Sequence, residues 1–235
     1  MKRTIYADYD NILVKETAER LTQNQNSIRE KVENIFYYVR DEIKFSFPLK
    51  GDLVKASETI KNKKGQCNTK SALFLALCKA AAIPAKIHFS LIKKEIQKGL
   101  FTGFMYRLMP NFISHSWVEV DIEGTWRKID SFINDESFYR AGRAKLKENK
   151  MDTGYSISCS SGESSISFNP DEEKFVQMDA VTDDHGLWYE PYDYYASHLY
   201  KNRPGIIKLI IYRIMIPRIN KRVNQMRNKC QNGLC

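Results

Sequence analysis

The chain has 235 residues, enough for one domain or one and a fraction at roughly 100–200 residues per domain. With 43% hydrophobic and 12% aromatic residues it has the make-up of a globular protein with an ordinary core, which excludes a disordered or fibrous chain. The net charge of +9 comes wholly from one end: residues 200–235 hold nine Lys/Arg and no acid, and the remainder balances 28 basic against 28 acidic residues.

In chain order, residues 15–45 read as a helix, with Ile28, Val32, Ile35, Phe36 and Val39 on one face. A loop at Phe47-Pro48 follows, then one or two helical turns over 56–60 with Glu58 as a first-turn acid. Gly65 breaks the chain. Residues 68–82 form a helix with no polar face after Ser71, a pattern that predicts burial on nearly all sides; Pro84 ends it. Residues 85–92 alternate as a strand, with Ile87, Phe89 and Leu91 on one face. Residues 94–113 are irregular and apolar. Two strands, 114–122 and 125–130, meet at the turn Glu123-Gly124. Residues 153–168 read as a Ser/Gly-rich loop, and 185–200 as an aromatic segment. The chain closes on a basic, apolar helix over 206–229, kinked or interrupted at Pro217. The expected division is a core over 1–150, with the Ser-rich loop, aromatic segment and basic helix of 151–235 packed on it or extending from it.

The five cysteines (Cys67, Cys78, Cys159, Cys230, Cys235) are odd in number, irregularly spaced and without a C-x-x-C pair. That argues against both a zinc site and a disulfide framework, and for reduced thiols in the cytoplasm. The N-terminal M-K-R-T-I-Y-A-D-Y-D has acids where a signal peptide needs an apolar stretch, and no run of about 18 apolar residues marks a spanning helix. Asp183-Asp184-His185 does not read as a metal site, because adjacent loop residues rarely converge on one ion. No cofactor is called for, and His88 and His198 read as structural.

Cys67 stands just after Gly65-Gln66, at the head of the buried helix. The positive end of that helix lowers a thiol's pKa, and its free N–H groups can donate to an oxyanion. A buried structural thiol is the commoner fate of a lone cysteine. His115 and Asp130 change that balance. With Glu123-Gly124 as a two-residue turn, Asp130 falls opposite Trp117 and His115 opposite Phe132. Imidazole and carboxylate then leave one face on diagonal positions about 7–8 Å apart. A thiol, a base and a group that orients the base form the triad of covalent acyl-transfer catalysts.

The stretch A-S-E-T-I-K-N-K-K-G-Q-C-N-T-K-S-A-L-F-L-A-L-C-K-A-A-A-I-P-A-K-I, residues 56–87, resembles the catalytic-cysteine region of the transglutaminase-like superfamily. S-H-S-W-V-E-V-D-I-E-G-T-W-R-K-I-D, residues 114–130, resembles its histidine and aspartate strands. The resemblance covers roughly residues 30–135. It implies an α+β, papain-like fold, with a buried catalytic helix on an antiparallel sheet and Cys67, His115 and Asp130 as the triad. Two positions depart from the family pattern: its usual glycine before I-P-A is Ala82, and its usual proline after the aspartate is Ser131.

The reaction so implied is attack of Cys67 on an amide, peptide or thioester carbonyl, with the thioester passing to water. An amine or carbon acceptor, as in an acyltransferase or cyclase, is the alternative; a catalytically inert binding module is another. The N–H of Cys67 is a candidate oxyanion donor, and Gln66, Trp117, Tyr37 and Tyr38 are candidate oxyanion or substrate groups. The apolar segment 94–113 is a candidate cleft wall. The basic tail 201–229 suits an anionic membrane surface or an acidic protein, with a location peripheral to the membrane; the plainer alternative is a terminal helix packed on the body. It carries no nucleic-acid motif, so a nucleic-acid partner is not indicated.

Overall fold

The computed structural model describes residues 4–158, 164–172, 175–203 and 205–231. Cys159 and Cys235 lie outside them, as does part of the Ser/Gly-rich stretch.

Two helices and a turn replace the single helix expected over 15–45. Helix α1 (Ile12–Thr22) starts where the Asn11 side chain accepts the Leu13 N–H. Helix α2 (Ile28–Tyr37) starts at a capping box, with Ser27 on the Glu30 N–H and Glu30 reaching back. That reciprocal cap satisfies the orphan N–H groups of a fresh start, which is why the chain breaks before Ser27. One π-helical turn, Tyr38–Glu42, follows. Strands β1 (Lys44–Phe45) and β2 (Lys64–Gly65) pair in parallel and bracket α3 (Ala56–Asn62).

Helix α4 (Cys67–Ala80) is buried from Asn68 to Cys78. Its polar first turns find partners in the interior. Lys70 Nζ donates to the Ile133 carbonyl at 2.8 Å, Ser71 Oγ to the Ser116 carbonyl at 3.0 Å, and Asn68 Nδ2 to Ser114 Oγ at 3.2 Å. Then come β3 (Ala85–Lys93), α5 (Gly103–Leu108), β4 (Phe112–Ile122) and β5 (Thr125–Ile129). The segment 94–113 is therefore partly helical.

Helix α6 (Glu136–Asn149), capped by the Asp135 side chain, was not foreseen. Strands β6 (Thr153–Gly154) and β7 (Ile157–Ser158) form a small ribbon, β8 (Val181–Trp188) follows, and α7 (Pro191–Ala196) starts on its proline. Helix α8 (Ile206–Gln231) runs through Pro217 without the interruption that was one of the two outcomes expected there. Pro217 is exposed, so the carbonyl it deprives of an N–H partner can turn to water.

The main sheet has the order β5-β4-β3-β8, each neighbour antiparallel. Helix α4 packs on β4 and β3, with α1, α2 and α3 on its other sides; α8 packs along α6. The class is α+β. The two halves of α8 differ. Ile216, Ile219 and Val223 are buried, whereas Ile206, Ile210 and Ile214, four residues apart, are 80%, 53% and 60% exposed. Among the described residues no helix is long and apolar enough to cross a membrane.

Candidate active site

Cys67 is the first residue of α4. Gly65 explains how β2 passes so close over that helix: a Cβ there would sit 2.8 Å from Thr69 Oγ1 and 2.9 Å from Lys70 Cγ. The Cys67 thiol donates to Gln66 Oε1 at 2.9 Å. The backbone N–H groups of Asn68 and Ser116 lie close enough to the sulfur to favour its thiolate, which places it beside the strand that carries His115. Burial pushes the thiol pKa up, the Asp52 and Asp130 carboxylates push it further, and the two N–H groups pull it down; the net is well above the ordinary thiol. The sequence-based expectation of a lowered pKa at the helix tip is thus overturned, because desolvation outweighs the helix terminus.

Ile122 pairs with Thr125, and Val118 with Ile129, as the two-residue turn requires. In that register His115 Nε2 faces Asp130 Oδ1 at 3.5 Å, both side chains fully buried. Neither ring nitrogen of His115 has a hydrogen-bond partner among the described residues, so the approach of Nε2 to Asp130 is an ion-pair distance and not yet a formed bond. Asp130 Oδ2 accepts the Gln177 N–H at 3.4 Å. Burial lowers His115 to about 3 and raises Asp130 to about 7, since both charged forms lose water in the same dry space.

A cavity of about 290 Å³ opens onto Cys67. Its polar floor is Asp52, Gln66, Ser114 and Tyr200, and its walls include Phe101, Leu108, Met109 and Ile113 from the 94–113 segment, with Leu209 and Tyr212 from α8 opposite. Of the candidate substrate groups, only Gln66 lines it. Trp117 stacks on the His88 ring at 4.1 Å. Tyr37 lies 4.7 Å from the Arg40 guanidinium, and Tyr38 5.3 Å from that of Arg20. None of those three aromatics lines the cavity; Trp117 shares the His115 face of β4 but is turned onto His88.

Asp52 and Tyr200 were missed. Asp52 sits in an unpatterned loop, and Tyr200 is far along the chain, so no spacing signals either. Asp184 meets His88 Nε2 at 2.5 Å, while His185 meets Tyr194 Oη through Nδ1 at 2.9 Å and Asp183 through Nε2 at 3.3 Å, so Asp184 turns away from the other two. Among the described residues no group of three His, Cys, Asp or Glu side chains is placed to hold a metal ion.

Residues 15–131 match the profile of the transglutaminase-like superfamily. The chain belongs to this superfamily. Three solved structures resemble it. A candidate cysteine protease from Cytophaga hutchinsonii is 15% identical with a TM-score of 0.48, over 81% of this chain and 46% of that one. A candidate protease from Parabacteroides distasonis ATCC 8503 is 14% identical with a TM-score of 0.37, over 53% and 25%. A structure described as a TGase is 16% identical with a TM-score of 0.32, over 49% and 28%. This chain thus spans less than half the length of each of these neighbours. No curated protein matches. Within the superfamily segment lie the thiol, the imidazole and the carboxylate described above; the α8 wall of the cavity lies beyond it.

Proposed function

We propose that this transglutaminase-like chain is a cysteine-dependent acyl-transfer enzyme that hydrolyses an amide or peptide bond through a thioester on Cys67. The observation that carries the reading is a cavity ending at a thiol whose sulfur rests on the strand of His115, with Asp130 behind the imidazole. His115 Nδ1, the ring nitrogen away from Asp130, takes the proton from Cys67 Sγ as the sulfur attacks the carbonyl carbon; the C–N bond then breaks and the same proton goes to the leaving amine. Asp130, on the Nε2 side, fixes the tautomer and stabilises the imidazolium. The 3.5 Å separation suits a free enzyme, whose catalytic contacts tighten when substrate displaces water. The Cys67 N–H, at the open start of α4, is the oxyanion donor this geometry favours. Water then attacks the thioester and frees the acid and the thiol. Reduced thiols suit a cytoplasmic location.

Intact-mass analysis with an activated acyl ester tests the reading. The wild type is expected to gain one acyl group that is lost on standing in water, and Cys67→Ala to gain none. Iodoacetamide is expected to modify Cys67 well ahead of Cys78, which is fully buried. Equal, slow reaction of both thiols would leave only an inert binding module.

A second observation bears on the partner. Ile206, Ile210 and Ile214 form an exposed stripe on α8, and the exposed Lys201, Arg213, Arg218 and Lys221 lie on the same segment, which has no acid. We propose that this half of α8 rests on an anionic membrane surface. The full chain should float with phosphatidylcholine vesicles that contain phosphatidylglycerol and not with those that lack it, and Ile210→Asp/Ile214→Asp should abolish flotation. Identical behaviour with both vesicle types would end the proposal.

A further inference from the structure

Among the described residues that line the Cys67 cavity Asp52 is the one carboxylate, and the triad has no use for it. Gln66 Nε2 donates to its Oδ1, and Tyr200 Oη to its Oδ2 at 2.8 Å. Gln66 also receives the Cys67 thiol on Oε1, so a single side-chain amide separates this carboxylate from the sulfur. Neutral donors hold Asp52 in place but do not balance its charge. Among the described residues no Lys, Arg or His forms an ion pair with it. Of the three cations in the lining, Lys50 pairs with Glu58 at 2.9 Å and Arg203 donates to the Tyr195 carbonyl, while Lys201 is exposed and forms no ion pair with Asp52.

An uncompensated carboxylate in a partly dry pocket costs free energy unless a cation joins it. Burial raises its pKa, against the pull of Tyr200, Asn68 and Gln66, as a missing counter-charge requires. It also works against the chemistry, since its charge is the largest electrostatic opponent of a Cys67 thiolate. A group that hinders the empty enzyme and is held by two hydrogen bonds has its use when the cavity is filled.

We propose that Asp52 is a specificity-determining residue that binds a primary ammonium group of the substrate beside the carbonyl attacked by Cys67, so that the substrates are peptides or amides with a free amino group near the scissile bond. The proposal rests on the reading of Cys67 as nucleophile and adds the class of substrate. The ammonium replaces the missing counter-ion, and in the same act cancels the charge that opposes the thiolate. Apolar walls such as Phe101, Leu108 and Met109 take the side chain next to the amine.

The test compares phenylalanyl chloromethyl ketone, amine free, with its N-acetyl form on the full-length protein, following alkylation of Cys67 by mass. Sulfur displaces chloride in both, so only the amine differs. The free-amine probe is expected to react at least about tenfold faster, the scale of one close charge pair in a partly buried site. Asp52→Asn, which keeps an acceptor for Tyr200, is expected to reduce that ratio to near one, with iodoacetamide correcting for any general change in Cys67 reactivity. Equal rates for the two ketones in the wild type, with Cys67 still reactive to iodoacetamide, overturn the Asp52 assignment alone. No reaction of Cys67 with any of the three reagents overturns the nucleophile reading together with it.

Discussion

At the scale of single residues, the site is governed by desolvation. Cys67, His115 and Asp130 all have pKa values moved in the direction that suppresses charge, and in each case burial is the largest cause. Two N–H groups on the sulfur and one on Asp130 do not reverse that. The resting site therefore favours uncharged groups, a thiol beside a neutral imidazole, and charge separation belongs to the filled state. Ala82 shows a different residue-scale effect. It stands where the superfamily pattern has glycine, and its φ is +56°. A Cβ in the left-handed region costs roughly 1–2 kcal/mol. The fold keeps the turn because the buried Ile83 donates its N–H to the Cys78 carbonyl at 2.8 Å and Pro84 follows directly. Ala82→Gly should raise stability by about 0.5–1 kcal/mol after the larger unfolded-state entropy of glycine is deducted. That corresponds to about 1–4 °C in Tm for a chain of this size, and a fall in Tm would contradict the strain argument.

At the scale of elements, legibility followed periodicity. Helix α4 could be read because an unbroken apolar run after Ser71 has no solvent face to interrupt it, and β3 because Ile87, Phe89 and Leu91 alternate. The β4–β5 register followed from one turn, Glu123-Gly124, with Glu123 at φ +55° and Gly124 at +84°. That register is what placed His115 and Asp130 on one face. Helix α6 escaped notice because its apolar residues are few: Phe138, Ala141 and Leu146 are buried among charges. Strand β8 escaped because Asp183, Asp184 and His185 read as a loop; it is an edge strand, held by backbone pairing to β3 and by the bond from Asp184 to His88. The cavity was half legible. The 94–113 wall announced itself by apolar content, but Asp52, Tyr200 and Tyr212 come together only through tertiary packing.

At the scale of the whole molecule, one buried ion pair ties the last helix to the centre. Arg227 on α8 donates to Asp135 through Nε at 2.9 Å and Nη2 at 2.8 Å, and Nη2 also reaches the Phe45 carbonyl. Asp135 in turn caps α6 and accepts the Phe45 N–H. Burial alone would raise its pKa, but the Arg227 bond and charge outweigh this and the net is downward. A lowered carboxylate stabilises the fold above its unfolded pKa of about 3.9, and that contribution is lost as pH falls through the lower folded value. Arg227→Met leaves a buried charge without its partner and should cost about 3–5 kcal/mol at pH 7 by chemical denaturation. The variant should also lose, or invert, the rise in stability with pH over the acid range. A loss below about 1 kcal/mol would refute the tie.

The sheet order carries a consequence for how the protein is made. Strand β3 has one flank covered by β4, about twenty residues downstream, but the other waits for β8, whose last residue is Trp188. While a ribosome is still adding the intervening segment, the outer rim of β3 has unpaired amide and carbonyl groups, the kind of template that recruits strands from neighbouring chains. Contacts so distant in sequence also close slowly. Newly synthesised copies thus pass through a sticky stage that ends only after Trp188 has emerged, and overexpression should fill inclusion bodies at the step where β8 has yet to dock.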